Sequence, residues 1–412
     1  MIVEKLNTGI TFIADKVPSA KSACIGFFVK AGSVDEDSSN YGISHIIEHM
    51  MFKGTPTRNY HQISEEFDVL GAEVNAFTSE EYTCYHAKVL PENLVRVADI
   101  YIDALMNSCI DKDELSRELK VILEEYKMYE DMPRYKTFSL FNNVYNKGTS
   151  FEVDVIGTEE TIANTTREKI LDYMSKHYCA ENVVVCVSGK FDEDEIKSHI
   201  ENSLILPHTN KVRNLNLNFN SAGYLSAVKD IEQSHVMMGC HIFGEDDARK
   251  YAMMILSGLM GGTMSSRLFK NIREEKGLAY SVHSMTDFAA DTGTFYISAA
   301  VSHENVELTI ESIKEELIKL KEFSFDESEF VKAKNIVKSN VIFKYEDASD
   351  RMVKLGSRQL LNNNCINVDE IGNFIDTVTY RDVLNMVDFI TDISNYSCVV
   401  LSNREIDIKS IL

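Results

Sequence analysis

Short apolar runs and longer amphipathic ones alternate along this chain. Leu6–Val17 carries the apolar-polar alternation and turn of a hairpin, and Ser22–Ala31, Tyr82–Val89 and Asn182–Ser188 read as strands, the last buried. Apolar positions at helical spacing predict helices at His61–Leu70, Asn93–Asn107, Asp113–Asp131, Tyr135–Asn146, Thr166–His177 and Glu193–Glu201. The first of these has a cap near Thr57 or Asn59. The pattern predicts an α+β fold. Gly42–Phe52 stands apart, because it holds one acidic side chain, Glu48, in a run that is apolar almost all round. Such a helix is predicted to be buried.

Within that run, His45, Glu48 and His49 share one helix face, while Ile43, Ile46, Ile47 and Met50 point elsewhere. Two imidazoles and a carboxylate on a buried helix need partners, since unpaired buried charge is costly. A divalent metal is one such partner: histidines at i and i+4 reach a single ion, and a catalytic zinc takes three protein ligands. The order H-x-x-E-H is a metallopeptidase motif. It fixes only three positions, and a plain buried helix with paired imidazoles satisfies it equally well.

A third ligand separates these readings. On the predicted helix Asp113–Asp131, the apolar stripe is Leu115, Leu119, Ile122, Tyr126 and Tyr129, and Arg117, Lys120, Glu124 and Lys127 form the polar face. Glu118 and Glu125 fall on the stripe, two turns apart, and so face the core. They either pair with a distant base or join the His-Glu-His face. In the second case Glu125 is the third ligand and Glu118 orients an imidazole from behind. Glu124 competes for the ligand role from the charged face.

The two halves of the chain are divergent copies. Val89-Leu90-Pro91-Glu92-Asn93 opens a helix as Val301-Ser302-His303-Glu304-Asn305 does, and Tyr129-Glu130-Asp131 matches Tyr345-Glu346-Asp347. In this alignment Met253, Leu256 and Ser257 replace His45, Glu48 and His49, and Ala333 and Asn340 replace Glu118 and Glu125. The second copy keeps the frame and none of the ligands. The expected division is 1–206 and 222–412, with 207–221 as a polar, Asn-rich linker.

Together H-I-I-E-H at 45–49 and ELSRELKVILEEYKMYED at 114–131 resemble the pitrilysin family of inverzincin metallopeptidases, in its short processing-peptidase-like branch. The resemblance runs from about Leu6 to about Val400. It implies two homologous domains, each a largely antiparallel sheet with helices packed on one face. It implies one Zn2+ per chain on His45, His49 and Glu125, and metal-activated water with Glu48 as general base. GAEVNAFTSEEYTCYHAKV at 71–89 is similar to the family's edge strand, which takes extended peptide by strand addition. Asn75, Ala76, Phe77 and Thr78 would then lie along the substrate, and His86 is structural. REEKGLAYSV at 273–282 is similar to the family's Arg–Tyr element, so Arg273 and Tyr280 are implied to hold the substrate backbone and the oxyanion. That pair comes from a facing module in the family, which implies a homodimer around a chamber that admits unfolded peptides. The competing function is a non-catalytic structural or peptide-binding subunit of the same fold.

Composition narrows this little further. The 412 residues carry 64 acidic and 42 basic side chains, a net charge of −22, which disfavours nucleic acid and anionic membrane as partners. The glycines of Gly258–Val282 match neither G-x-G-x-x-G nor G-x4-G-K-[ST], which argues against a nucleotide. The eight cysteines form no C-x-x-C, and no apolar run approaches 18 residues. With no signal peptide in Met1–Lys5, a cytoplasmic protein with reduced thiols is expected.

Overall fold

The computed structural model describes residues 1–210, 212–219 and 222–412. The expected linker at 207–221 contains the three residues outside that description, and its described part holds neither helix nor strand.

The chain forms two compact units, each built on one mixed sheet. The first sheet contains β1 (Ile2–Lys5), β2 (Thr11–Lys16), β3 (Ala23–Val29), β4 (Glu73–Thr78), β5 (Thr83–Val89) and β6 (Val183–Gly189), in the order β1-β2-β6-β3-β5-β4. The second contains β7 (Tyr224–Val228), β8 (Ser234–Phe243), β9 (Ala279–Phe288), β10 (Thr292–Val301) and β11 (Ser397–Ser402), in the order β7-β11-β8-β10-β9. Once β1 is set aside the two orders are the same. Each sheet has one parallel pair, β2 with β6 and β7 with β11, and is otherwise antiparallel. The repeat expected from sequence is thus present in topology.

In the first unit, Ala23, Ile25, Phe27 and Val29 of β3 point to a core shared with α1 (Ile43–Met50), α2 (Tyr60–Leu70) and α3 (Leu94–Asn107). Asn59 caps α2, accepting from the Gln62 amide, and Gly71 ends it with φ +62°. Two longer helices follow, α4 (Lys112–Asp131) and α5 (Pro133–Tyr145).

The units do not follow the halves 1–206 and 222–412 throughout. The first unit comprises Met1–Lys127, Val153–Leu215 and Lys344–Asp369, and the second takes Met128–Glu152 together with Asn216–Phe343 and Glu370–Leu412. Equivalent helices have been exchanged. Helix Ala348–Asn362 lies on the second face of the first sheet, and α5 lies on the second face of the other, where Phe141 and Tyr145 pack on Met237 and Val399. Helices were expected on one face only. The second face is used because the exchanged helix fits against glycine: a Cβ on Gly26 would stand 2.2 Å from Met352 Sδ, and one on Gly356 would stand 2.2 Å from the Phe28 ring.

One buried ion pair fastens the incoming helix. Arg351 donates to Asp15 on β2 (Nε to Oδ2 2.7 Å, Nη2 to Oδ1 3.1 Å) and to Asp369 (Nη1 to Oδ1 2.6 Å). The Ser188 hydroxyl also donates to Asp15, at 2.8 Å, so the buried carboxylate is fully engaged.

Candidate metal centre

The apolar side of α1 anchors the site. Ile43, Ile46, Ile47 and Met50 are fully buried, each contributing about 1.5–3 kcal/mol. Their burial fixes which way the opposite face points. The helix starts at Gly42, whose φ of +87° and whose approach to Ile156 O (2.5 Å from a built Cβ) both require glycine. Gly42 offers no side-chain cap. Glu36 supplies one from the preceding loop, accepting from the Gly42 amide at 2.6 Å and the Ser44 amide at 2.9 Å. Burial nonetheless pushes its carboxyl up to about 7.

His45 and His49 bring their Nε2 atoms to 3.2 Å from each other. Glu125 reaches in from α4, its Oε2 3.5 Å from His49 Nε2 and 3.9 Å from His45 Nε2. These three ligand atoms lie within 4.8 Å of one another, and they form the one such group among the described residues. Ligands of a tetrahedral zinc at ~2.0–2.1 Å stand about 3.3–3.4 Å apart. The donor set of two imidazole nitrogens and a carboxylate oxygen, at these separations, fits a zinc ion. Glu124 faces away and pairs with Lys127 at 2.7 Å, leaving the ligand position to Glu125.

Behind the ligands, Glu118 Oε1 sits 3.0 Å from His49 Nδ1, and Lys53 holds the other carboxylate oxygen at 2.5 Å. Desolvation works against the Glu118 charge, but the hydrogen bonds from His49 and Lys53 outweigh it and hold the carboxyl below its ordinary range. His49 shows the counterpart. Burial alone lowers it, while the bond to Glu118 and the charges of Glu48, Glu125 and Glu118 raise it above its ordinary value. With no carboxylate on its own Nδ1, His45 is pushed down to about 3, chiefly by burial and then by His49. It is therefore a neutral imidazole throughout the physiological range, the form that can take a metal ion.

Glu48 shares the face but not the ligand cluster. Thr78 on β4 donates its hydroxyl to Glu48 Oε2 at 2.6 Å. Burial raises the Glu48 carboxyl above the usual range, against the lowering effect of that hydrogen bond.

β4 is the outermost strand of its sheet, so one side of Asn75, Ala76, Phe77 and Thr78 has no partner strand among the described residues. His86 on β5 lies under this strand, its ring 5.9 Å from that of Phe77, and burial lowers its pKa. Arg273 and Tyr280 belong to the other unit. Arg273 lies on the π-helical segment Phe269–Glu275, its guanidinium 4.6 Å from the Phe269 ring centroid and 6.0 Å from that of Tyr280. Tyr280 is the second residue of the outermost strand β9 and is 74% exposed. The structure thus gathers His45, Glu48, His49, Glu118, Glu125 and Thr78 in one unit, and places Arg273 beside Tyr280 in the other.

Lys53 and Glu36 complete this arrangement and were not among the residues singled out in the sequence. Lys53 falls on the same side as His49, one turn on, which is the signal that could have found it. Glu36 lies in an acidic loop and carries no periodic signal.

At the positions equivalent to the ligand helix, Met253 and Leu256 are fully buried and Ser257 O accepts from the Ser284 hydroxyl at 2.7 Å. The second copy therefore fills with apolar and neutral groups the places where the first converges charge.

The family model of insulinase, peptidase family M16, matches residues 11–159, and that of the peptidase M16 inactive domain matches residues 164–337. An uncharacterized zinc protease of Bacillus subtilis is 34% identical over 92% of both chains, and one of Rickettsia felis is 33% identical over 97% of both. A protease from Helicobacter pylori is similar in structure, with a TM-score of 0.90 at 21% identity over 97% of this chain and 99% of that one. No helix among the described residues is long and apolar enough to cross a membrane. The matched models cover most of the chain, and relatives above 30% identity span nearly all of it: the chain belongs to the pitrilysin-type metallopeptidases of peptidase family M16.

Proposed function

We propose that this protein is a zinc-dependent endopeptidase that hydrolyses unfolded peptides held in extended form. The observation that supports this best is the pairing of a complete ligand set, His45, His49 and Glu125, with a separate buried carboxylate, Glu48, held by Thr78. Bound zinc supplies Lewis acidity that polarises a peptide carbonyl and lowers the pKa of water to about 7. Glu48 takes the proton from the attacking water and returns it to the leaving amine, and its raised pKa suits both transfers. The open side of β4 hydrogen-bonds the substrate main chain near Asn75–Thr78. Arg273 and Tyr280 donate to the substrate backbone and the developing oxyanion, reaching the metal centre of a partner subunit in a homodimer. The dimer encloses a chamber that excludes folded proteins, and the protein works in the cytoplasm.

The test is hydrolysis of an unstructured fluorogenic peptide. Wild-type protein is expected to cleave it, to stop on chelation and to recover with zinc, while Glu48→Gln loses at least about 100-fold in kcat with its zinc retained. The second reading is a catalytically silent peptide-binding subunit. It draws support from the inactive-domain match over 164–337, where no ligand cluster occurs among the described residues. It predicts peptide capture without turnover, unchanged by Glu48→Gln.

A further inference from the structure

The second unit has a cavity of about 430 Å³ on the sheet face that α5 only partly covers. Its floor is set by strand register. Ser298 on β10 is paired with Met237 on β8 and with His283 on β9, so these three side chains lie in one row across the sheet. His235 and Tyr296 flank the row, and the first two turns of α5 close one wall with Arg134 and Phe138.

The charges in this cavity are unusual for a chain of net charge −22. No carboxylate lines it among the described residues. Arg134 has no ion-pair partner among them either, and its charge acts instead on His235 and His283 and, behind that of Asp287, on Tyr296. Burial first, and the Arg134 charge second, hold both imidazoles below their ordinary pKa, so each is a neutral ring with one N–H to give. His283 Nε2 already lies 3.2 Å from the Ser298 hydroxyl. One cation without a counter-ion, neutral donors and an apolar lining from Phe138 and Met237 describe a receptor for an anion on an apolar body.

We infer that this cavity binds the carboxylate of a peptide, Arg134 meeting the charge while Phe138 and Met237 take the adjoining side chain. The volume suits one or two residues. A carboxylate has two sources in a peptide, the C-terminus and an acidic side chain, and both present the same chemistry to a guanidinium. That the ligand is a peptide rests on the peptidase reading, whereas the preference for an anion does not.

The experiment uses full-length Glu48→Gln protein and three peptides labelled at the N-terminus with an uncharged coumarin and followed by anisotropy: coumarin-Gly-Ala-Phe acid, its C-terminal amide, and the amide with Glu in place of Ala. The acid is expected to bind about tenfold or more tightly than the amide, with Arg134→Gln erasing the difference and Arg134→Lys keeping part of it. Arg134 is exposed, so its replacement leaves the fold intact. If the Glu-containing amide binds as well as the acid, and through Arg134, the pocket reads acidic side chains and the assignment stands. Equal binding of all three peptides overturns it. So does a preference that survives Arg134→Gln, which belongs to the metal centre. Because binding is read in a chain without the base, either negative result leaves the peptidase reading to be judged by wild-type turnover.

Discussion

The Thr78 hydroxyl donates to Glu48 Oε2 at 2.6 Å, linking the outermost strand of the first sheet to the acidic residue of α1. The strand proposed to hold substrate therefore also holds the proposed base. Thr78→Val is expected to lower kcat about tenfold with zinc content unchanged, and Thr78→Ser to restore it. Steady-state kinetics beside metal analysis decides this.

The same bond sets a pH dependence. Glu48 acts as a base only when ionised, and burial raises its pKa, so activity is lost as pH falls through a value above the usual carboxylate range. The Thr78 bond lowers that pKa, so Thr78→Val is expected to move the acid limb of kcat/KM to higher pH. An unmoved limb would assign it to another group.

Glu118 is outside the His45–His49–Glu125 group, yet it stands 3.0 Å from His49 Nδ1, the contact by which a carboxylate orients an imidazole. Glu118→Ala is expected to weaken zinc about 10- to 100-fold, measured by competition with a chelator. Lys53→Met, which removes only the outer partner of Glu118, is expected to weaken it less.

Arg351 is far from the metal ligands in sequence but belongs to the same unit. Arg351→Ala leaves Asp15 buried without its counter-charge and is expected to cost about 3–5 kcal/mol in denaturant unfolding. Replacing the pair together, Arg351→Met with Asp15→Leu, is expected to recover most of that loss.

Sharing of sites between subunits is tested by mixing. Glu48→Gln and Tyr280→Phe, each slow alone, are expected to regain roughly a quarter of wild-type activity when co-refolded. Random pairing makes half the dimers mixed, each with one intact site of two. A mixture that stays inactive would place Tyr280 on the metal of its own chain.

The clustering of polar side chains from α1 and α4 was legible because helical periodicity assigns faces. His45, Glu48 and His49 had to share one, and Glu118 and Glu125 had to leave the charged face of α4. The repeat was legible from matched helix starts and ends, and the strand orders agree with it. Other features depend on contacts without sequence period. Thr78 meets Glu48 only because β4 lies beside α1, and Glu36 caps a helix across a loop. The exchange of α5 for Ala348–Asn362 was hidden for a different reason: both helices have ordinary amphipathic patterns that do not state which sheet they cover. Gly26 and Gly356 were the available hint, since each removes a side chain where the two elements meet.

That exchange also orders events during synthesis. The candidate ligands and all six strands of the first sheet have been made by Gly189, but the helix that covers Gly26 and Phe28 emerges only with residues 348–362. From Leu215 to Asp369 the ribosome adds 154 residues, about 8–30 s at ~5–20 residues per second. For that interval the nascent chain carries the candidate ligands of α1 and α4 beside a sheet with one bare face. Chains stalled near residue 330 are expected to be cut by protease within the first unit, and chains stalled beyond residue 400 to resist.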